Sequence, residues 1–203
     1  MNDRFATKYD GLVQEQNWHG PEILFGMMFE YIRSGEKLLD IGIGTGLSAV
    51  AFHKTGVLVY GLDYSYEMLS VCKQKNIAAD LIQFDLNDSP LPYPDHFFDH
   101  ISANAVLYFI ERLENLFSEI SRILKKKGTW AFIIQTQTDR SKKSISANPP
   151  GKNALKTFKH SREYIIGLLE KNSFNLVKEL DFISKNFQME GKPVSFTLFV
   201  ARS

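Results

Sequence analysis

The sequence predicts an α/β fold with a mostly parallel sheet, and three observations carry the prediction. Short apolar runs recur along the first two thirds of the chain with helical patterns between them, the signature of βαβ units. One of these runs, LLDIGIGTG at residues 38–46, ends on a carboxylate and passes straight into three alternating glycines. The tail then changes to strict alternation, which marks half-buried strands.

In chain order, Gly20-Pro21 introduces a helix over 22–33, with proline at a tolerated first-turn position. Strands follow at 37–41, 57–63, 81–85, 98–103 and 129–136, and helices between them at 47–54, 65–75 and 111–125. The helix at 111–125 has the clearest pattern: Leu113, Leu116, Phe117, Ile120, Ile123 and Leu124 share one face. Residues 137–160 are polar and basic and are read as a loop. Ser161 is placed to cap a helix running to about 171. Beyond it Phe174, Leu176, Leu180 and Phe182 alternate, as do Val194, Phe196, Leu198 and Val200, with Gly191 between. That pattern predicts an antiparallel hairpin closing one edge of the sheet.

The 203 residues suit one domain with a sizeable core, and 44% apolar with 23% charged residues is ordinary globular composition. Cys72 is the single cysteine, which excludes an intramolecular disulfide and a cysteine-built zinc site. The opening MNDRFATKYD shows no leader pattern, and no segment approaches the roughly 20 apolar residues of a membrane span. A cytoplasmic protein is the expectation. The net charge of +1 hides an asymmetry. Residues 1–121 hold 8 Lys/Arg against 17 Asp/Glu, and residues 122–162 hold 11 Lys/Arg against Asp139 alone.

The glycine run has three candidate ligands: a phosphate, a dinucleotide, or an adenosine carrying an amino acid. A phosphate loop needs a lysine that is missing here. A dinucleotide loop needs a small residue at position 47, where Leu47 stands, and Asp40 would repel a pyrophosphate. Asp40 instead suits a cationic ligand. Further polar groups end the successive strands, where open α/β sheets bind ligands: Asp63, whose carboxylate matches a ribose diol; Asp85, an acceptor for an adenine amino group; and Asn104.

In these residues the chain resembles the class I S-adenosylmethionine-dependent methyltransferases. LLDIGIGTG is similar to their first motif, GLDYS to the second and FDL to the third. FDHISANAVLYF with RILKKKGTWAF resembles their fourth and fifth strands, and FKHSREYIIGLLEKNSFNLV their late helix and sixth strand. The resemblance implies a doubly wound, Rossmann-like seven-stranded sheet in the order 3-2-1-4-5-7-6 with strand seven antiparallel. It also implies S-adenosyl-L-methionine as cofactor and S-adenosyl-L-homocysteine as product.

By the same resemblance, Gly42, Gly44 and Gly46 admit the methionine part of the cofactor and Asp40 holds its ammonium. Asp63 takes the ribose, with Tyr64 beside the adenosine. Asp85 and the backbone of Leu86 read adenine, and the backbone near Asn104 brackets the amino-acid end. Tyr9 resembles a residue that closes over the cofactor, making 1–20 an N-terminal lid segment. Two departures stand out: Ile43, bulkier than usual between the glycines, which is expected to tighten the cofactor pocket, and Lys126-Lys127-Gly128 in place of Pro-Gly-Gly.

The implied reaction is methyl transfer to a small-molecule acceptor by in-line displacement, with no metal required. A base is needed only for an acceptor that must lose a proton. His160 and Tyr108 are weak candidates for that base; His19, His53, His96 and His100 read as packing, helix-end or turn residues. Asn148-Pro149-Pro150-Gly151 resembles an adenine-methyltransferase motif, but it follows the fifth strand rather than the fourth and ends on glycine, so it reads as a loop. Arg140, Lys142, Lys143, Lys152, Lys156 and Lys159 have two readings, a solvated face or a basic loop over the acceptor site that attracts an anion. The rival functions are a non-catalytic module that holds S-adenosylmethionine or S-adenosylhomocysteine, an RNA methyltransferase and an NAD-dependent oxidoreductase.

Overall fold

A computed structural model describes residues 3–136, 145–148, 157–189 and 192–203. Its elements in chain order are α1 (Asp3–Glu15), α2 (Gly20–Met28), β1 (Lys37–Ile41), α3 (Leu47–Lys54), β2 (Leu58–Asp63), α4 (Tyr66–Gln74), β3 (Asp80–Gln83), β4 (Phe98–Ala103), α5 (Glu114–Ile123), β5 (Leu124–Gln135), β6 (Ile145–Asn148), β7 (Thr157–His160), α6 (Arg162–Lys171), β8 (Asn175–Met189) and β9 (Lys192–Arg202).

Seven strands form one sheet in the order β3-β2-β1-β4-β5-β9-β8, and β6 pairs with β7 in a separate two-stranded sheet. Pairing is parallel from β3 through β5 and antiparallel on both sides of β9. Without the small β6-β7 pair in the count, this is the 3-2-1-4-5-7-6 order with one antiparallel strand that the motifs implied. Alternation along each strand divides the core into two layers. Leu39, Ile41, Ile101, Phe132, Ile134 and Phe199 pack under α5 and α6, and Leu38, Val59, Ile133, Leu198 and Val200 pack under α2, α3 and α4. Among the described residues no helix is long and apolar enough to cross a membrane.

Several elements differ from the sequence reading, each for a physical reason. The helix predicted to run to 125 stops at Ile123, because Leu124 pairs with Phe98 and opens β5. Strand β3 ends at Gln83, and Asp85 instead accepts hydrogen bonds from the backbone N–H of Asn87 (2.9 Å) and from its Nδ2 (2.8 Å), forming a turn. The helix predicted over 22–33 is α2 followed by a 3-10 turn at Phe29–Tyr31. Part of the expected basic loop is the hairpin of β6 and β7. Its remainder, with Arg140, Lys142, Lys143, Lys152, Lys156 and Pro149 to Gly151, lies outside the described residues, as does the Gly191 turn. The N-terminal segment contains a helix, α1, that the sequence reading missed. Ser65 and Ser161 cap α4 and α6 as N-caps, their hydroxyls accepting from Met68 N (3.3 Å) and Tyr164 N (3.1 Å).

Candidate cofactor site at the carboxyl ends of the central strands

The glycine loop follows β1 and turns the chain back into α3. Gly42, Gly44 and Gly46 all have positive φ (69°, 55° and 86°), a region that side chains other than glycine enter at a cost. At Gly42 the demand is steric as well, since an added Cβ would lie 2.5 Å from Val106 Cγ2. At Gly44 an added Cβ would meet only Asp63 Oδ2 and Gly42 O, each 4.0 Å away, so the loop presents an open side there.

Asp40 lies under this loop. The register puts it opposite Ser102 on β4, whose hydroxyl donates to Asp40 Oδ1 at 2.9 Å. The carboxylate is 1% exposed. Burial pushes its pKa up to about 7, against the lowering effect of Ser102, with nearby Asp63 pushing the same way as burial. Asp63, at the end of β2, accepts from Gly44 N through Oδ2 (2.8 Å) and from Ser65 N through Oδ1 (2.8 Å). It therefore clamps the glycine loop to the start of α4. Burial raises its pKa too, and the two backbone N–H groups oppose the rise. Each of its oxygens has a second lone pair for another donor.

Asn104 closes the far side. Its Nδ2 donates to Ser48 Oγ (2.9 Å), while its Oδ1 is buried without a hydrogen-bond partner among the described residues. Ala105 follows at φ 56°, a strained conformation for a residue with a Cβ. Gly20 allows the close approach from α2: a Cβ there would stand 2.6 Å from Asn104 Oδ1 and 2.5 Å from the Trp18 ring.

A cavity of about 40 Å³ lies against the glycine loop, lined by Tyr9, Trp18, Gly42, Ile43, Gly44 and Asn104 among others; Asp40 and Asp63 do not line it. Ligand pockets are usually ~300–1,000 Å³, and α1 lies against this one, lining it with Tyr9 and Val13. Thr45 Oγ1 donates to Asp10 Oδ1 (2.5 Å), and Lys75 Nζ pairs with Asp10 Oδ2 (2.6 Å), so one carboxylate ties α1 to the glycine loop and to the end of α4. Burial raises the pKa of Tyr9, with Asp63 and Asp10 adding to the rise.

The structure thus gathers Tyr9, Asp40, Gly42, Gly44, Gly46, Asp63 and Asn104 at one end of the sheet. Tyr64 stands 71% exposed just beyond Asp63, and Asp85 and Leu86 follow β3, next to β2. Ile43 lines the small cavity, as its bulk between the glycines led one to expect, and also reaches into the core. It is buried in the layer under α3 and α4, above Gly61, where a Cβ would come within 2.6 Å of its Cδ1; the missing side chain in β2 offsets the extra bulk in the loop.

Of the candidate bases, His160 is fully buried, stacked 5.7 Å from Tyr164, and lines neither this cavity nor a larger one beside it. Burial lowers its pKa. Tyr108 lies near Tyr9, and burial chiefly, with Tyr9 adding to it, holds its phenol protonated. His100 is buried at the opposite end of the sheet, its Nε2 2.8 Å from Glu36. The sequence reading missed Asp10, Thr45, Ser48, Ser102 and Gly20. Only Asp10 had a legible signal, because Ala6, Tyr9 and Val13 repeat at helical spacing beside it.

Residues 39–132 match the sequence model of a methyltransferase domain. The matched segment runs from β1 into β5, the sheet order is that of S-adenosylmethionine-dependent methyltransferase structures, and S-adenosylmethionine is the cofactor that such a domain and fold imply. Among individual relatives, it is 32% identical over 135 residues to a demethylmenaquinone methyltransferase of Tropheryma whipplei, covering 63% of this chain and 54% of that one. It is 32% identical over 112 residues to a phosphatidylethanolamine N-methyltransferase of Cereibacter sphaeroides, covering 52% and 54%. The chain thus spans about half the length of these curated relatives. An S-adenosylmethionine-dependent methyltransferase structure from Methanosarcina mazei superposes with a TM-score of 0.74 over 89% of this chain and 98% of that one, at 14% identity, a likeness of fold.

Proposed function

We propose that this chain transfers a methyl group from S-adenosylmethionine to a small-molecule acceptor. The observation that carries the reading is a set of polar groups at one glycine loop with an open side: the carboxylates of Asp40 and Asp63, and the Oδ1 of Asn104, which has no hydrogen-bond partner among the described residues. A ligand with a cationic amino-acid end and a diol fits that donor and acceptor set. When bound, the cofactor supplies a methyl group on a sulfonium, whose sulfur keeps the electron pair as the acceptor forms its new bond to carbon.

The chain's own work is to bind, orient and exclude water. Asp40 and the Asn104 Oδ1 receive the ammonium, directly or through water. Asp63 uses its remaining lone pairs for the ribose hydroxyls. Tyr64 lies beside the adenosine, and Asp85 with the backbone of Leu86 reads the adenine. Helix α1 is the lid: Asp10 latches it, and it must lift for a nucleoside to enter and settle again to keep solvent out. Alignment of this kind is worth up to roughly 7–11 kcal/mol of barrier in well-oriented systems. Tyr108 lines neither cavity and its phenol stays protonated, so it is given no part as a base.

The two curated relatives are named for demethylmenaquinone and phosphatidylethanolamine, which supports a small-molecule acceptor over nucleic acid. Incubation with methyl-labelled S-adenosylmethionine and fractionated metabolites tests the reading. Label is expected in a small-molecule fraction and is lost with Asp63→Ala. Saturable cofactor binding with no transfer would instead favour a non-catalytic module.

A further inference from the structure

Beside the glycine-loop site lies a second, larger cleft of about 410 Å³, lined by Asn17, Trp18, His19, Ile23, Phe182, Ile183 and Ser184. We propose that this cleft is the acceptor site and that it takes an uncharged, ring-bearing small molecule. The inference rests on the methyl-transfer reading and adds the acceptor's place and chemistry to it.

Trp18 lines both the cleft and the glycine-loop cavity, so a ligand in the cleft lies one indole away from the loop. The wall is built rather than incidental. Trp18 packs 4.8 Å from Phe196 and 5.8 Å from Phe182, and those two rings stack at 5.6 Å, holding the indole in place from behind. Ile183, midway along the edge strand β8, is 63% exposed, on the open side of an alternation that buries Ser184 and half-buries Phe182. An apolar side chain left uncovered over an aromatic wall suits an apolar guest. Charge points the same way: among the described residues, no lysine, arginine, aspartate or glutamate lines the cleft, and His19 is its single titratable group. An anionic acceptor would find no fixed partner there.

The test uses the full chain and 2-naphthol as the probe, titrated calorimetrically with and without saturating S-adenosylhomocysteine. Saturable one-site binding is expected to persist in the presence of S-adenosylhomocysteine. Ile183→Asp should weaken it about tenfold or more and leave S-adenosylhomocysteine affinity within about twofold; Ile183 is exposed, so the variant keeps its fold. Phe182→Leu, which keeps an apolar wall but removes the ring behind the indole, should weaken it about threefold. Naphthalene-2-sulfonate should bind more weakly than 2-naphthol. The proposal is overturned by no saturable heat, by unchanged affinity in Ile183→Asp, by displacement of naphthol by S-adenosylhomocysteine, or by tighter binding of the sulfonate. Failure of S-adenosylhomocysteine itself to bind would instead defeat the methyl-transfer reading, which separates the two failures.

Discussion

Asp40 is a carboxylate in the layer otherwise occupied by Leu38, Val59 and Ala49, and its side chain accepts a hydrogen bond from the Ser102 hydroxyl. Its folded pKa, about 7, lies above the ordinary aspartate value of 3.8, so the folded state holds the proton longer than the unfolded state. The stability it contributes is full below the unfolded value, is lost as pH rises through about 7, and is level beyond. Asp40→Asn removes this dependence. Wild-type stability relative to the variant should therefore fall between pH 4 and 7, by at most about 1.4 kcal/mol per unit, in urea denaturation at several pH values. Ionised Asp40 is also the form that receives a cation, so affinity for S-adenosylhomocysteine should rise from about pH 6 to 8 and flatten in Asp40→Asn. A flat wild-type profile would contradict the role given to this residue. Two glycines separate folding from binding in the same loop. Gly42→Ala meets Val106 at 2.5 Å with φ at 69°, and should cost about 2–4 kcal/mol in urea unfolding. Gly44→Ala meets only ordinary contacts at φ 55°, so it should cost about 1–2 kcal/mol yet abolish cofactor binding by filling the loop's open side.

At the scale of elements, the Asp10 side chain is a double tie between α1 and the site. Asp10→Ala removes the acceptor of Thr45 and the partner of Lys75, so hydrogen exchange over residues 6–15 should quicken and S-adenosylhomocysteine should dissociate several-fold faster. Global stability should change by no more than about 1–2 kcal/mol, because partly exposed ion pairs contribute little. Unchanged exchange in the variant would mean that α1 is held by packing alone. The elements also show where local sequence pattern reaches its limit. The face from Leu113 to Ile123 was legible because a single amphipathic stripe has one reading; Leu124 fits both that stripe and a strand, and its pairing with Phe98, 26 positions earlier, decides for the strand. Asp85 was placed at a strand end correctly to within two residues, but a turn closed by Asn87 is not visible in apolar periodicity.

Across the whole molecule, βαβ patterning made a mostly parallel sheet legible, and the strand order came from the resemblance of the motifs to a known family; each strand's alternation fills one layer or the other, so that Leu38 and Leu39, Ile133 and Ile134 divide between the two cores. The polar groups at the strand ends were legible too, since a carboxylate that interrupts an apolar run is visible in one dimension. What closes the site was not. The hydroxyl of Ser102 opposite Asp40, the approach of Gly20 to Asn104, and the cleft between Trp18 and Ile183 all depend on segments 62 to 165 positions apart. The measurement that bears most directly on the account is calorimetric titration of the full chain with S-adenosylhomocysteine, in wild type and in Asp63→Ala. The account predicts saturable one-to-one binding in the wild type and a loss of about a hundredfold or more, some 2.7 kcal/mol, in a variant that still unfolds cooperatively. Equal affinity in the two proteins, or no binding to either, would contradict it.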